Sequence, residues 1–204
     1  MDELHRRVER GYDAIARTYA DHIRSNRGPE TYFRSFLDRI LARVPPGGRV
    51  LDLGCGAGLV SAELARRGRV VGLDRSAVQL SLTRANAPQS AMVRADIAEA
   101  AFRPRSFDAI VAFWTLIHVQ RDRHPAVLAR IHEWLRPPGV FAATLGTSDS
   151  PGDIEEDFFG APMSWSHFDA ETNRRLMADA GFDVEQADEV FDEGEWALWV
   201  IATA

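Results

Sequence analysis

The sequence predicts an α/β fold: a mostly parallel sheet covered by helices on both faces. Two observations carry this reading. From Val50 onward, short apolar runs alternate with stretches of helical periodicity. The first of those runs also opens straight into three closely spaced glycines, Gly54, Gly56 and Gly58, after which a helical pattern begins at once. A length of 204 residues with 46% hydrophobic content is enough for one cohesive core, so a single domain is expected.

In chain order, Val8, Tyr12, Ile15 and Tyr19 recur at helical spacing and define an amphipathic first helix. A polar stretch from Ser25 to Pro29 interrupts it. Phe33, Phe36, Leu37, Ile40, Leu41 and Val44 mark a second helix, which Pro45, Pro46, Gly47 and Gly48 stop. Strands are expected at 50–53, 70–73, 92–93, 107–113 and 140–145, with helices at 59–67, 76–85 and 126–135 between them. The run 135–139, Leu-Arg-Pro-Pro-Gly, reads as a turn before the fifth strand. Residues 148–167 lack clean periodicity and contain Pro151, Gly152, Gly160 and Pro162. That excursion is expected to be irregular, either a lid or substrate wall or a plain surface loop. A helix at 170–180 follows, ended by Gly181. Runs 182–190 and 196–202 close the chain as two strands, with Gly194 in a hairpin turn.

Composition narrows the function classes. The formal net charge is -6 and the arginines are scattered, so nothing points to a nucleic-acid partner. No run of about 18 apolar residues suits a membrane span. The charged start Met1–Glu9 lacks the apolar stretch of a signal peptide. One cysteine, Cys55, rules out an intrachain disulfide and makes a thiolate metal cluster improbable. These features fit a cytoplasmic setting. The oligomeric state is not written in the sequence, though a homodimer would suit a small cytoplasmic enzyme.

The segment Val50-Leu51-Asp52-Leu53-Gly54-Cys55-Gly56-Ala57-Gly58 carries the strongest chemical signal. Glycines let the backbone turn tightly and approach a ligand. The helix that follows presents free N–H groups and its positive end to an anion such as a carboxylate. A dinucleotide site uses a similar turn, but as G-x-G-x-x-G, and here Leu59 stands in the place of its last glycine. Asp52 before the turn would repel a pyrophosphate and would suit the amino end of an amino-acid cofactor. Asp74, at the end of the second strand, is placed to accept ribose hydroxyls, as acids do in nucleotide-binding sheets. A helix cap is its alternative role. Asp96 and Ile97 after the third strand are placed to border an adenine. Successive strand ends are where an open α/β sheet binds its ligands.

On these residues the chain resembles the class I S-adenosylmethionine (SAM)-dependent methyltransferase family, in particular its small-molecule members. The matching elements are Val50–Gly58, Asp74, Arg94-Ala95-Asp96-Ile97, residues 107–113 and the turn 135–139. The resemblance implies a Rossmann-like three-layer sandwich with a seven-stranded sheet whose last strand runs antiparallel, beneath an N-terminal helical cover. It divides the chain into a helical cap (1–46), a cofactor-binding core (47–147) and a tail holding a substrate loop, a helix and a hairpin (148–204). It implies SAM as cofactor and S-adenosylhomocysteine (SAH) as product. Asp52, Gly54, Gly56 and Gly58 would surround the methionine moiety, Asp74 would take the ribose, and Asp96 and Ile97 would border the adenine, with Cys55 inside the turn and Arg75 beside Asp74 as further cofactor-binding residues. Backbone carbonyls near Phe113 would take the ammonium. Tyr12 and Tyr19 lie in a helix that closes over the cofactor in relatives. Tyr19 is assigned to the cofactor and Tyr12 to the substrate, with packing on an amphipathic face as their plainer role.

Methyl transfer needs alignment, exclusion of water and, for a protonated acceptor, removal of a proton. His118, just after the fourth strand, is the leading base, with a pocket-lining or purely structural role as its alternatives. Trp114 is expected to wall the pocket. Trp165 and His167, which close the excursion, are expected on the substrate side, with His167 as a polar contact to the acceptor or a second base; simple anchoring of the loop is their alternative. Asp169 is the expected cap of the helix after them. No H-E-x-x-H motif occurs and no metal is expected. The function implied is methylation of an oxygen or nitrogen of a small-molecule acceptor. An NAD-dependent oxidoreductase and a non-catalytic SAM- or nucleotide-binding protein are the competing readings.

Overall fold

The computed structural model describes residues 3–192 and 194–204. Met1 and Asp2 of the charged start therefore lie outside the described residues. The elements in chain order are α1 (Glu3–Asn26), α2 (Tyr32–Arg43), β1 (Arg49–Leu53), α3 (Leu59–Leu64), β2 (Arg69–Asp74), α4 (Ala77–Asn86), β3 (Ala91–Arg94) and β4 (Phe107–Ala112). They continue with α5 (His124–Trp134), β5 (Leu135–Leu145), β6 (Ser150–Phe158), β7 (Ala161–His167), α6 (Ala170–Asp179), β8 (Asp183–Asp192) and β9 (Glu195–Thr203).

Seven strands form one sheet in the order β3-β2-β1-β4-β5-β9-β8. The first five run parallel, and β9 runs antiparallel to both β5 and β8. The predicted sheet, with its antiparallel final strand, is thus the observed one. Strand order reverses between β1 and β4, so a crevice opens at their carboxyl ends.

Helices pack on both faces. Phe33, Phe36, Leu37 and Ile40 of α2 and Leu64 of α3 are buried with Val50, Val111 and Trp199 on one side. Val127, Leu128 and Ile131 of α5 and Met177 of α6 are buried with Leu51, Ile110 and Phe141 on the other. Caps fix the helix starts: Ser76 accepts from Gln79 N and Asp169 from Thr172 N. Gly181, at φ +94°, ends α6 in the left-handed region that glycine adopts freely.

Two segments differ from the sequence reading. Residues 150–167 are not irregular. β6 and β7 pair antiparallel into a separate two-stranded sheet, turned at Gly160 with φ +93°. Val8 and Ile15 of α1 pack with Ala161 and Met163 of β7. The expected turn 135–139 instead belongs to β5. Leu135 already pairs with Phe107, and the register then slips to Val140 against Ala109.

Among the described residues, no helix is long and apolar enough to cross a membrane.

Candidate functional site

A cavity lies at the carboxyl ends of β1, β2 and β4 and is roofed by α1. Its floor is the glycine turn, and the three glycines serve different ends. Gly54, Gly56 and Gly58 all have positive φ, at 66°, 52° and 78°. A Cβ on Gly54 would lie 2.2 Å from Thr115 Oγ1, so the loop after β4 needs that space. A Cβ on Gly58 would lie 2.8 Å from the Thr83 Cα, so this glycine lets α4 approach, and Gly58 does not line the cavity. Gly56 alone of the three has nothing closer than 3.9 Å to a Cβ, and its bare face turns to the cavity. Cys55 also lines the wall. Its thiol is buried 3.8 Å from Thr83 Oγ1, and burial pushes it far above the ordinary thiol range, which suits packing rather than reaction.

Three carboxylates from adjacent strands reach this space. Asp52 is 3% exposed and accepts a 2.6 Å hydrogen bond from Ser61 Oγ. Burial raises its carboxyl to about 7; the Ser61 bond opposes that shift, and the negative Asp74 adds to it. Asp74 accepts from Gly56 N (2.9 Å) and Ser76 N (2.9 Å). It thereby ties the glycine turn to the start of α4, while burial raises its own pKa. Asp96 accepts from Ala98 N at 2.8 Å. Its second oxygen lies 3.6 Å from Arg75 Nη1 and 3.8 Å from His5 Nδ1. Ile97, buried, supplies an apolar wall beside it.

The roof is held down by contacts that sequence inspection missed, because they join α1 to distant elements. Glu9 lies 3.6 Å from Arg75 and 3.1 Å from Arg94. Asp13 accepts a hydrogen bond from Ser76 Oγ, and Gln79 Nε2 donates to the Tyr12 carbonyl at 3.4 Å. Just beyond α1, Arg27 places its guanidinium 4.0 Å from the Phe33 ring and 4.5 Å from that of Trp114. Trp114 sits at φ +49°, a strained conformation for a bulky residue, and its amide donates to Thr144 Oγ1 at 2.6 Å. Phe113, Trp114 and Arg27 all line the cavity.

Tyr12, Tyr19 and His118 line it too. Tyr12 Oη lies 2.8 Å from His118 Nε2, and His118 Nδ1 lies 2.9 Å from the Ser164 carbonyl. A carbonyl only accepts, so Nδ1 carries the proton and Nε2 accepts from the tyrosine. Burial depresses this imidazole to about 4, against the opposing Ser164 bond. Burial also raises the Tyr12 phenol well above its usual range. Both groups are therefore neutral at pH 7.

Trp165 and His167 are not brought into the cavity lining. Trp165 packs behind His118, with ring centroids 4.7 Å apart, and its Nε1 donates to Glu155 Oε2 at 3.2 Å. His167 Nδ1 bonds the Ser148 carbonyl at 2.8 Å. A Cβ on Gly146 would lie 2.3 Å from that nitrogen, so His167 is wedged against the chain leaving β5. The pairing of β6 with β7 sets Trp165 against the His118 ring and His167 against the chain leaving β5.

The donor set fits a ligand bearing an ammonium, a ribose and an adenine. Carboxylates stand at successive strand ends, Gly56 leaves a bare backbone cradle, and buried Gln79 Oε1 faces the cavity with no hydrogen-bond partner.

Comparison with known proteins gives matches over the same region. Residues 50–139 match the family described as "Methyltransferase domain". The chain is 37% identical over 117 residues to the ubiquinone biosynthesis O-methyltransferase of Xanthomonas campestris, covering 53% of this chain and 48% of the relative. It is 39% identical over 103 residues to the trans-aconitate 2-methyltransferase of Deinococcus radiodurans, covering 49% and 38%. The chain thus spans less than half the length of these curated relatives. Among solved structures, the 1,6-didemethyltoxoflavin-N1-methyltransferase of Burkholderia thailandensis superposes with a TM-score of 0.65. It is 22% identical, with 96% of this chain and 90% of that one covered, and it holds 1,6-didemethyltoxoflavin and SAH.

Proposed function

We propose that this chain, which belongs to the class I SAM-dependent methyltransferase family, methylates an oxygen or nitrogen of a small-molecule acceptor. The carrying observation is the convergence of Asp52, Asp74 and Asp96 with the bare face of Gly56 on one cavity. When bound, SAM supplies a methyl group activated on a sulfonium and leaves as SAH.

The chain's residues would divide the remaining work. Asp52 and the glycine turn hold the amino-acid end, with carbonyls near Phe113 facing the ammonium. Asp74 accepts from the ribose, while Asp96 and Ile97 border the adenine. α1 excludes water from the cavity. In this reading residues 47–147 bind the cofactor, and segments 1–46 and 148–204 shape the acceptor side.

Tyr12 is the polar group that meets the acceptor, and His118 stands behind it. A proton from an acceptor hydroxyl would pass to the tyrosine oxygen as the tyrosine proton passes to His118 Nε2. An imidazole held near 4 favours that transfer weakly. The pair therefore suits acceptors that already present a lone pair: carboxylates, acidic phenols or neutral amines. The relatives' own names include a ubiquinone-pathway O-methylation, a trans-aconitate methylation and an N1-methylation.

Titration calorimetry with SAH and NAD, followed by labelled-methyl transfer to a panel of carboxylates, phenols and amines, tests the reading. Saturable SAH binding and methylation of one class are expected. Binding of NAD alone would make the chain an oxidoreductase. SAH binding with no transfer to any acceptor would make it a non-catalytic binding protein.

A further inference from the structure

We propose that Gln79 is a cofactor-binding residue whose Oε1 accepts a hydrogen bond from a ribose hydroxyl of SAM. This rests on the cofactor reading above and adds a residue on α4 to it.

Gln79 sits in the first turn of α4 and is 3% exposed. Its backbone N–H is satisfied by Ser76 Oγ at 2.9 Å. The side-chain amide bridges two surfaces. Nε2 donates to the Tyr12 carbonyl at 3.4 Å. A carbonyl cannot donate, so the nitrogen end must face α1 and the oxygen end must face the cavity. The oxygen has no hydrogen-bond partner among the described residues. A buried acceptor without a donor loses its hydration and gains nothing in return, so such groups are rare unless a ligand completes them.

The place of that oxygen selects the donor. It is the nearest atom to the bare face of Gly56, 3.9 Å from where a Cβ would stand. Gly56 N is in turn bonded to Asp74, the acid set at the end of β2. Gln79 Oε1 and the Asp74 carboxylate thus flank the same glycine. A ribose there offers two O–H donors side by side. Asp74 already accepts one backbone N–H on each oxygen, and a neutral amide oxygen is a suitable second acceptor for a neutral hydroxyl. An ammonium would instead seek Asp52, whose carboxylate can balance its charge. Because Nε2 is tied to Tyr12, closing α1 over the cavity also aims Oε1.

The test is a ligand–mutant cycle by titration calorimetry on the full chain, pairing wild type and Gln79→Met with SAH, 2′-deoxy-SAH, 3′-deoxy-SAH and desamino-SAH. Met keeps the length of the side chain and removes the acceptor. Gln79→Met should bind SAH about tenfold more weakly. It should lose discrimination against one deoxy ligand and keep it against the desamino ligand. The side-chain amide resonance of Gln79 gives a second readout in unaltered protein. SAH should shift it, and the discriminating deoxy ligand should not. An SAH affinity within twofold of wild type, discrimination lost only against desamino-SAH, or an amide signal indifferent to both deoxy ligands would each overturn the assignment. If Gln79→Met does not fold, the amide resonance decides alone. Wild type that fails to bind SAH would sink the cofactor reading as well, whereas normal wild-type binding with an unchanged variant sinks only the role of Gln79.

Discussion

Tyr12 Oη and His118 Nε2 lie 2.8 Å apart, which joins the roof helix α1 to the loop after β4. With Nδ1–H given to the Ser164 carbonyl, the neutral imidazole is locked into one tautomer. Removing the tyrosine hydroxyl leaves a buried nitrogen without its donor. Tyr12→Phe is therefore expected to lower stability by about 1–2 kcal/mol. It should also lower turnover more than SAH affinity. Urea unfolding and calorimetry check the two effects separately. Turnover that is unchanged with a working acceptor would remove Tyr12 from the acceptor side.

The same histidine makes a pH prediction. Burial holds its folded pKa at about 4, below the ordinary histidine value of 6.5. The stability of the neutral form is thus complete above 6.5 and is lost as pH falls toward 4. At pH 4.5 the loss is about 2–3 kcal/mol. Carboxylates titrate in the same window, so the measured quantity is the stability of wild type minus that of His118→Gln at pH 7.5 and at pH 4.5. The difference should shrink at the lower pH by this amount; a constant difference would mean the ring is not held neutral.

Asp52 has the opposite sign. Burial raises its folded pKa to about 7 from 3.8, so its contribution is complete below 3.8 and is lost as pH rises through 7. Asp52→Asn should therefore gain stability over wild type as pH rises from 6 to 8. Cofactor binding should respond differently. An ammonium beside Asp52 favours the carboxylate, so SAH should bind wild type more tightly at pH 8 than at pH 6, with proton release near pH 7. Calorimetry in buffers of different ionisation enthalpy measures that proton. No release, or an equal pH response in Asp52→Asn, would place the ammonium elsewhere.

How much of this was legible follows from what each residue contacts. Strands β1 and β4 are buried on both faces, so they read as apolar runs, and Asp52 near the end of β1 stands out. β6 was illegible because it is an exposed strand of a two-stranded sheet. Ile154 and Phe158 are the large apolar residues in its run, and Pro151 and Gly152 disguise its start. Trp165 and His167 were misplaced for the same reason, since only the register of β6 on β7 tells which way they face. Arg27 and Gln79 carry no local motif. Their roles arise when α1 folds across the crevice, a contact between segments far apart in sequence.

The three glycines, alike in sequence, should respond differently to a methyl group. Gly54→Ala drives a Cβ into Thr115 and Gly58→Ala drives one into the Thr83 backbone, so both should lose stability beyond the strain of positive φ. That strain alone is about 1 kcal/mol and applies at all three positions. In Gly56→Ala the nearest atom to the new methyl beyond its chain neighbours is Gln79 Oε1 at 3.9 Å, so the variant should incur only the strain, keep its fold and lose SAH affinity by more than tenfold, because the methyl occupies the ligand's side of the turn. Thermal unfolding and calorimetry on the three variants separate the outcomes. If Gly56→Ala bound SAH normally while remaining folded, the bare face of Gly56 could not lie against the cofactor.

His167 gives the last contrast, between a histidine that lines the cavity and one that does not. Its Nδ1 is engaged with the Ser148 carbonyl, and its ring is wedged against Gly146. It therefore joins the end of β7 to the chain leaving β5 and has no surface on the cavity. His167→Leu keeps much of the ring's volume but removes the hydrogen bond, so a loss of about 1 kcal/mol in unfolding free energy is expected. SAH affinity and the pH dependence of turnover should stay as in wild type, whereas His118→Gln should change turnover. A basic limb in the pH–rate profile that disappears in His167→Leu but persists in His118→Gln would reverse these roles, and would require the β6–β7 hairpin to swing His167 around to the cavity during the reaction.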